Sequence, residues 1–133
     1  MFLLPGGVPI LLNIRSCTVV QDCIEQICGH LGIQNVLEQY EFAIYYVVEA
    51  EKTARPLNRG EYIFDVITEL TKLNNEFYLI FKRILWYFPL HFDADSFIDM
   101  MYNQILPDYV EGLVISINNN KISNHLNVIY IFC

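Results

Sequence analysis

Phe42-Ala43-Ile44-Tyr45-Tyr46-Val47-Val48 is aromatic and β-branched without a helical gap, a run that predicts a strand buried on both faces or at a sheet centre. Upstream of it, Val20, Cys23, Ile24, Ile27, Cys28 and Leu31 recur at three- and four-residue spacing, while Gln21, Asp22, Glu25, Gln26 and His30 take the other side. That period predicts an amphipathic helix, opened by a Thr18 and Gln21 capping box and stopped at Gly32 in the left-handed region. Ahead of the helix, Pro5-Gly6-Gly7 reads as a tight turn between a short strand, Phe2 to Leu4, and a returning one, Val8 to Ile14. The first strand is short enough that the sequence is read as beginning inside it.

Downstream, polar Glu49 to Arg55 predicts a turn or loop, and Pro56-Leu57 with Arg59-Gly60 brackets a short extended piece. Tyr62, Ile63, Val66, Ile67, Leu70 and Leu73 restore helical spacing, so a short helix is expected from Glu61 to near Leu73, broken by Asn74-Asn75. Phe77 to Trp86 is strand-like again, and Pro89 ends it because it cannot donate to a ladder. The order strand, strand, helix, strand, short strand, short helix, strand defines an α+β fold with a mixed sheet wrapped on one main helix, a ubiquitin-like roll over residues 1–89.

After Pro89 the texture changes. Asp93 or Asp95 is expected to cap a helix lined on one side by Phe97, Ile98, Met101, Tyr102, Ile105 and Leu106. Pro107 then suits the first position of a second helix, whose apolar face continues through Tyr109, Val110, Leu113, Val114 and Ile117. From Asn118 onward the chain is Asn-rich without a helical period, and its final Val128 to Phe132 run is expected to pair as a strand or promote aggregation.

Apolar residues are 54% of the chain, enough for burial to offset the entropy of ordering, so a folded core is expected. With 15 acidic against 8 basic residues the formal charge is −7, which sets repulsion against a phosphate backbone. Nucleic acid is therefore not an expected partner, and membrane contact is expected to be peripheral at most. Met1 to Gly7 has no basic leader or cleavage site, and no apolar run reaches the ~20 residues of a spanning helix. The cysteines at 17, 23, 28 and 133 lack the two-residue gap of a zinc knuckle or redox pair, which predicts a reduced, cytosolic protein. Cys23 and Cys28 read as small core hydrophobes.

Three stretches carry a resemblance. Leu4-Pro5-Gly6-Gly7 with Ile14-Arg15-Ser16-Cys17-Thr18 is similar to the opening of a FERM first lobe. Leu79 to Trp86, followed by Tyr102-Asn103-Gln104-Ile105-Leu106-Pro107-Asp108-Tyr109-Val110-Glu111-Gly112-Leu113, resembles the segment joining first and second lobes in the FERM domains of unconventional myosin tails, class XV among them. The likeness runs from Phe2 to Ile117 and is most specific between Tyr102 and Leu113. It implies a first lobe over residues 1–89, its first strand truncated, and the opening of an acyl-CoA-binding-protein-like helical second lobe over residues 90–117. Residues 118–133 then form a divergent tail, for which a truncated splice product or an incomplete gene model is the expectation. The resemblance further implies a non-catalytic cargo or adaptor fragment with protein partners, cytoplasmic and associated with the actin cytoskeleton at protrusions. Two helices of a four-helix lobe would leave apolar stripes uncovered.

The residues themselves offer no competing chemistry. His30, His91 and His125 are far apart without metal-ligand spacing, and Cys28 and His30 point to different faces of a helix. Glycines at 6, 7, 32, 60 and 112 form no phosphate-cradling series, so no cofactor is expected. The candidate partner-binding residues are Lys82 and Arg83 together with Arg55 and Arg59, a small basic patch suited to an acidic peptide, or else an exposed sheet face with a salt bridge. Partner surfaces are expected beside the first helix or at the interlobe face. The alternatives are a stand-alone ubiquitin-like or Ras-association-like regulator, acting through Phe42 to Val48 as an added-strand edge or through a sheet face, and a truncated product without independent function.

Overall fold

A computed structural model describes residues 1–112, together with the backbone of residues 114–116 and 128–130. Strand β1 (Phe2–Leu4) turns through Gly6 and Gly7, at φ +91° and +78°, onto the antiparallel β2 (Val8–Ile10). The returning strand is shorter than its apolar pattern suggested, because beyond it the chain is captured by the first helix. The Gln26 side-chain amide accepts from the Asn13 N–H and donates to the Asn13 carbonyl, both at 2.9 Å, in place of a strand neighbour.

Helix α1 (Val20–His30) starts one residue later than expected, with Val19 at the cap. The reach-back comes from Asp22, whose Oδ2 accepts the Val19 N–H at 2.9 Å, rather than from Gln21. Thr18 does not cap the helix: its carbonyl accepts from the Ile63 N–H at 3.0 Å, and its hydroxyl accepts from the Arg15 N–H at 2.9 Å. The helix ends at Gly32, φ +77°, as expected. A one-turn helix that no periodicity announced, α2 (Val36–Gln39), follows, capped by the Asn35 side chain, which accepts the Leu37 N–H at 3.0 Å.

Strands β3 (Phe42–Val48) and β4 (Thr53–Pro56), helix α3 (Ile63–Lys72) and strand β5 (Phe77–Arg83) complete the roll. β4 begins inside the stretch expected to be loop, because Lys52 at φ +53° folds the chain tightly enough for Thr53 to pair with Val48. The sheet order is β2-β1-β5-β3-β4, with β1 and β5 parallel and the other neighbours antiparallel. β3 thus lies between β5 and β4, as its two-sided burial predicted, and cannot serve as an added-strand edge; the open edges are β2 and β4.

Strand alternation sends Phe42, Ile44 and Tyr46 to the same face as Arg83, Phe81 and Leu79, against α1. Val20, Cys23, Ile24, Ile27 and Cys28 meet them, and the Phe42 and Phe81 rings stack at 5.0 Å. The opposite face carries Ala43, Tyr45 and Val47 beside Lys82, Ile80 and Tyr78.

Helix α4 (Asp95–Val110) runs unbroken through Pro107, which corrects the expectation of a second helix starting there. Proline removes only its own N–H bond, to Asn103, and the next turn continues with the Glu111 N–H on the Pro107 carbonyl at 3.0 Å. Ala94, rather than Asp93 or Asp95, occupies the cap position. Gly112, φ +75°, stops the helix, and Val114–Ser116 forms β6, paired antiparallel with β7 (Val128–Tyr130), where a continued helix face was expected. Residues 113, 117–127 and 131–133, and with them most of the reading of the tail, lie outside the described residues.

Candidate functional site

The segment after β5 is held by two carboxylates, Glu38 within α2 and Glu41 just after it. Glu41, 2% exposed, stands just ahead of β3 and receives Arg83, whose Nε donates to Oε2 at 3.0 Å while Nη2 donates to the same oxygen. The other oxygen of Glu41 accepts the Tyr87 and Phe88 N–H groups at 2.6 and 2.8 Å. Arg83 also donates to the carbonyls of Leu85 and Phe88, at 3.1 and 2.7 Å, and its guanidinium lies over the Trp86 ring at 4.8 Å. A charge taken wholly out of water persists only when paired and hydrogen-bonded, and here Nε and Nη2 are engaged while Nη1 is buried without a partner. Further along, His91 Nε2 sits 2.8 and 2.7 Å from the two oxygens of buried Glu38, and its ring meets Phe97 edge-on at 5.4 Å.

Helix α4 is locked to the roll at two points. The Gln104 side-chain amide accepts from the Arg83 N–H at 3.0 Å and donates to the Arg83 carbonyl at 2.7 Å, so it takes the edge of β5 beyond its pairing with β1. Asn103 lies against the β1–β2 turn so closely that a Cβ on Gly6 would come within 2.8 Å of its Cγ. Phe97, Met100 and Met101 enter the same apolar core as α1 and the sheet. Between the outer sheet face and α4 this leaves a cleft of about 370 Å³, bordered by Tyr45, Ile80, Lys82, Trp86, Asn103 and Asp108.

The four cations expected to act together are not gathered. Arg83 is corrected from a partner-binding residue to a buried one: its register opposite Phe42 turns it inward, and its side chain has no exposed surface. Arg59 is consumed by the fold, donating to Gln21 Oε1 at 2.8 Å and to the Tyr40 carbonyl at 3.0 Å, and also to the Phe42 carbonyl. Arg55 is exposed on the edge strand and faces Glu51 at 3.7 Å, a pair of little energetic weight. Of the four, Lys82 and Arg83 border the cleft, and the Arg83 side chain is buried. Glu38 and Glu41 were not singled out in the sequence, since each partner lies on a different element and no local spacing marks it, whereas Gln104, with Tyr102, Pro107 and Gly112, is read from the sequence as structural at the interlobe junction and the turn between helices.

Burial raises the Cys28 thiol to about 12, with Glu38 adding to the effect, and raises Cys23 to about 11, with Asp22 adding to it. Neither is a nucleophile at neutral pH. Among the described residues no three His, Cys, Asp or Glu side chains gather in metal-binding geometry, and no helix is long and apolar enough to cross a membrane.

A five-stranded roll with a helix keyed to the end of its last strand has the fold of a FERM lobe. The second MyTH4-FERM domain of Dictyostelium discoideum myosin VII superposes with a TM-score of 0.68 at 20% identity, over 88% of this chain and 25% of that one. The human myosin 7b C-terminal MyTH4-FERM domain, solved in complex with the harmonin-a PDZ3 domain, gives 0.66 at 18% identity, over 90% of this chain and 25% of that one. In sequence, the chain is homologous to a segment of an unconventional myosin: human unconventional myosin-XV is 37% identical over 126 residues, 95% of this chain. The chain spans 4% of that relative's length. No family model matches it.

Proposed function

We propose that the chain is a protein-interaction fragment of a myosin-tail FERM domain, holding a cargo or adaptor protein in the cytoplasm at the actin cytoskeleton. Residues 1–89 are its first lobe and residues 90–117 the opening of its second, with 118–133 a divergent tail. The observation that carries this reading is the cleft between the outer sheet face and α4. It presents Lys82 as a cation for an acidic partner group, beside the apolar Tyr45, Ile80 and Trp86 and the polar Asn103 and Asp108. Few polar groups around an apolar floor suit a peptide or loop anchor, and the complex of the myosin 7b relative with a PDZ domain supports a protein partner.

The test is affinity capture from a cytoskeletal extract with quantitative mass spectrometry, comparing the chain with its Lys82→Glu and Ile80→Asp variants. The expected result is a set of actin-associated proteins retained by the parent and depleted by both variants. Identical captured sets for all three would remove the cleft from consideration.

A further inference from the structure

A second groove, about 600 Å³, runs between β4 and α3 on the side of the roll away from the cleft, floored by Tyr46, Leu57, Val66 and Leu70. Its helical wall carries Asp65 and Glu69, four residues apart, and Glu61 stands just ahead of the helix, its carboxylate accepting the Asn58 N–H at 3.1 Å. The cations nearby do not neutralise this wall. Arg55 pairs with Glu51, Arg59 is tied to backbone carbonyls and Gln21, and Asp65 has no cationic partner among the described residues. Lys72 reaches Glu69 at 2.7 Å, but with both side chains about two-thirds exposed the pair is weak and displaceable.

The other wall is an open sheet edge. The Leu57 N–H donates to the Ile44 carbonyl at 2.8 Å, so by ladder alternation Ala54 turns its N–H and carbonyl away from β3, as Pro56 does its carbonyl. The opposite edge, β2, has Pro9 in its centre and lacks a donor there. Four residues of helix rise about 6 Å, and two residues of strand about 6.6–6.8 Å, so alternate side chains of an extended peptide keep near-register with the acidic wall over this length.

We propose that this groove receives an extended segment of a partner protein in which basic residues alternate with apolar ones, added as a strand to β4. The basic side chains take the helix-facing side of the added strand, their aliphatic stems over the floor and their charges at Asp65 and Glu69, while the apolar ones lie on the opposite side beside Ala54 and Val47, and the net charge of −7 favours the encounter. The proposal rests on the reading of the chain as a protein-interaction module and names a groove that shares no lining residue with the cleft, although Ala54 of its strand wall borders the cleft from the other side.

The test titrates the full chain with a short synthetic peptide alternating lysine and valine, read by amide chemical shifts and by fluorescence anisotropy. Shifts are expected at Thr53 to Arg55 and along α3. Asp65→Lys with Glu69→Lys should weaken binding about tenfold, whereas Asp93→Lys with Asp99→Lys, exposed sites with the same change of net charge, should alter it less than about twofold. Ala54→Pro, which deletes the outward N–H without touching the β3 pairing, should also weaken it. Equal losses in the two charge variants, shifts centred on the Lys82 cleft, or no saturable binding would each overturn the proposal. None of these results bears on the extract experiment, which probes the other face.

Discussion

Arg83 and Glu41 stand 42 positions apart and form a pair with side chains 0% and 3% exposed. Removing one partner strands the other in a low-dielectric site, whereas removing both does not. Arg83→Met is therefore expected to cost about 3–5 kcal/mol in urea unfolding, and Arg83→Met with Glu41→Gln distinctly less than the sum of the two single changes. Additive costs would mean that the two charges act independently. The thiols make a second residue-level prediction. Folded Cys23 and Cys28 keep their protons to about 11 and about 12, while the unfolded groups lose theirs near 9.0. Above pH 9.0 the unfolded chain releases protons that the folded chain retains, so stability falls as pH rises from there toward 12. Peptide mapping after iodoacetamide treatment at pH 8 should accordingly find exposed Cys17 alkylated and Cys23 and Cys28 protected until urea is added. Residue type alone announced the inert cysteines. It also announced Arg83 as a surface cation, and there the inward register of β5 decided otherwise.

Among the elements, α1, β3 and β5 were legible because each carries its own pattern, a helical period or an unbroken apolar and aromatic run, for at least two turns or seven residues. The one-turn α2, the start of β4 and the passage of α4 through Pro107 were not, since each depends on neighbours. Thr53 is a strand residue because Val48 is opposite it, and the helix outlasts its proline because only one bond is lost. The contact between the β1–β2 turn and α4 is of the same kind. Gly6 was read as a turn residue, and only the fold shows that Asn103 fills the space a side chain would need. Gly6→Ala should cost about 1–2 kcal/mol from its positive φ, with additional displacement of Asn103 seen as an amide shift. In an Asn103→Ala background, which leaves only the Cβ 3.1 Å away, the shift along α4 should shrink while the φ cost remains. A full-size α4 shift in that background would place the contact elsewhere.

For the whole molecule, the expectation of uncovered apolar surface is met on α4, where Tyr102, Leu106, Tyr109 and Val110 are exposed at helical spacing. The opposite side of the same helix is not a frayed remnant, because Phe97, Met100 and Met101 lie 1–3% exposed in the core shared with the roll. Phe97→Ala is expected to cost about 3–5 kcal/mol, and hydrogen exchange should show Met100 and Met101 opening together with α1 and β5. Faster exchange of α4 alone would mean that the two parts are independent units. The sequence by itself determined the roll, its main helix, the glycine stops and the likeness to myosin FERM lobes, because periodicity and turn chemistry are local properties. Only the tertiary structure decided which charges are buried, which strand edge is open and how α4 is keyed to β5. Those outcomes depend on strand register and on pairs such as Glu41 with Arg83 and Glu38 with His91, whose partners lie 42 and 53 residues apart and leave no mark on their neighbours in the chain.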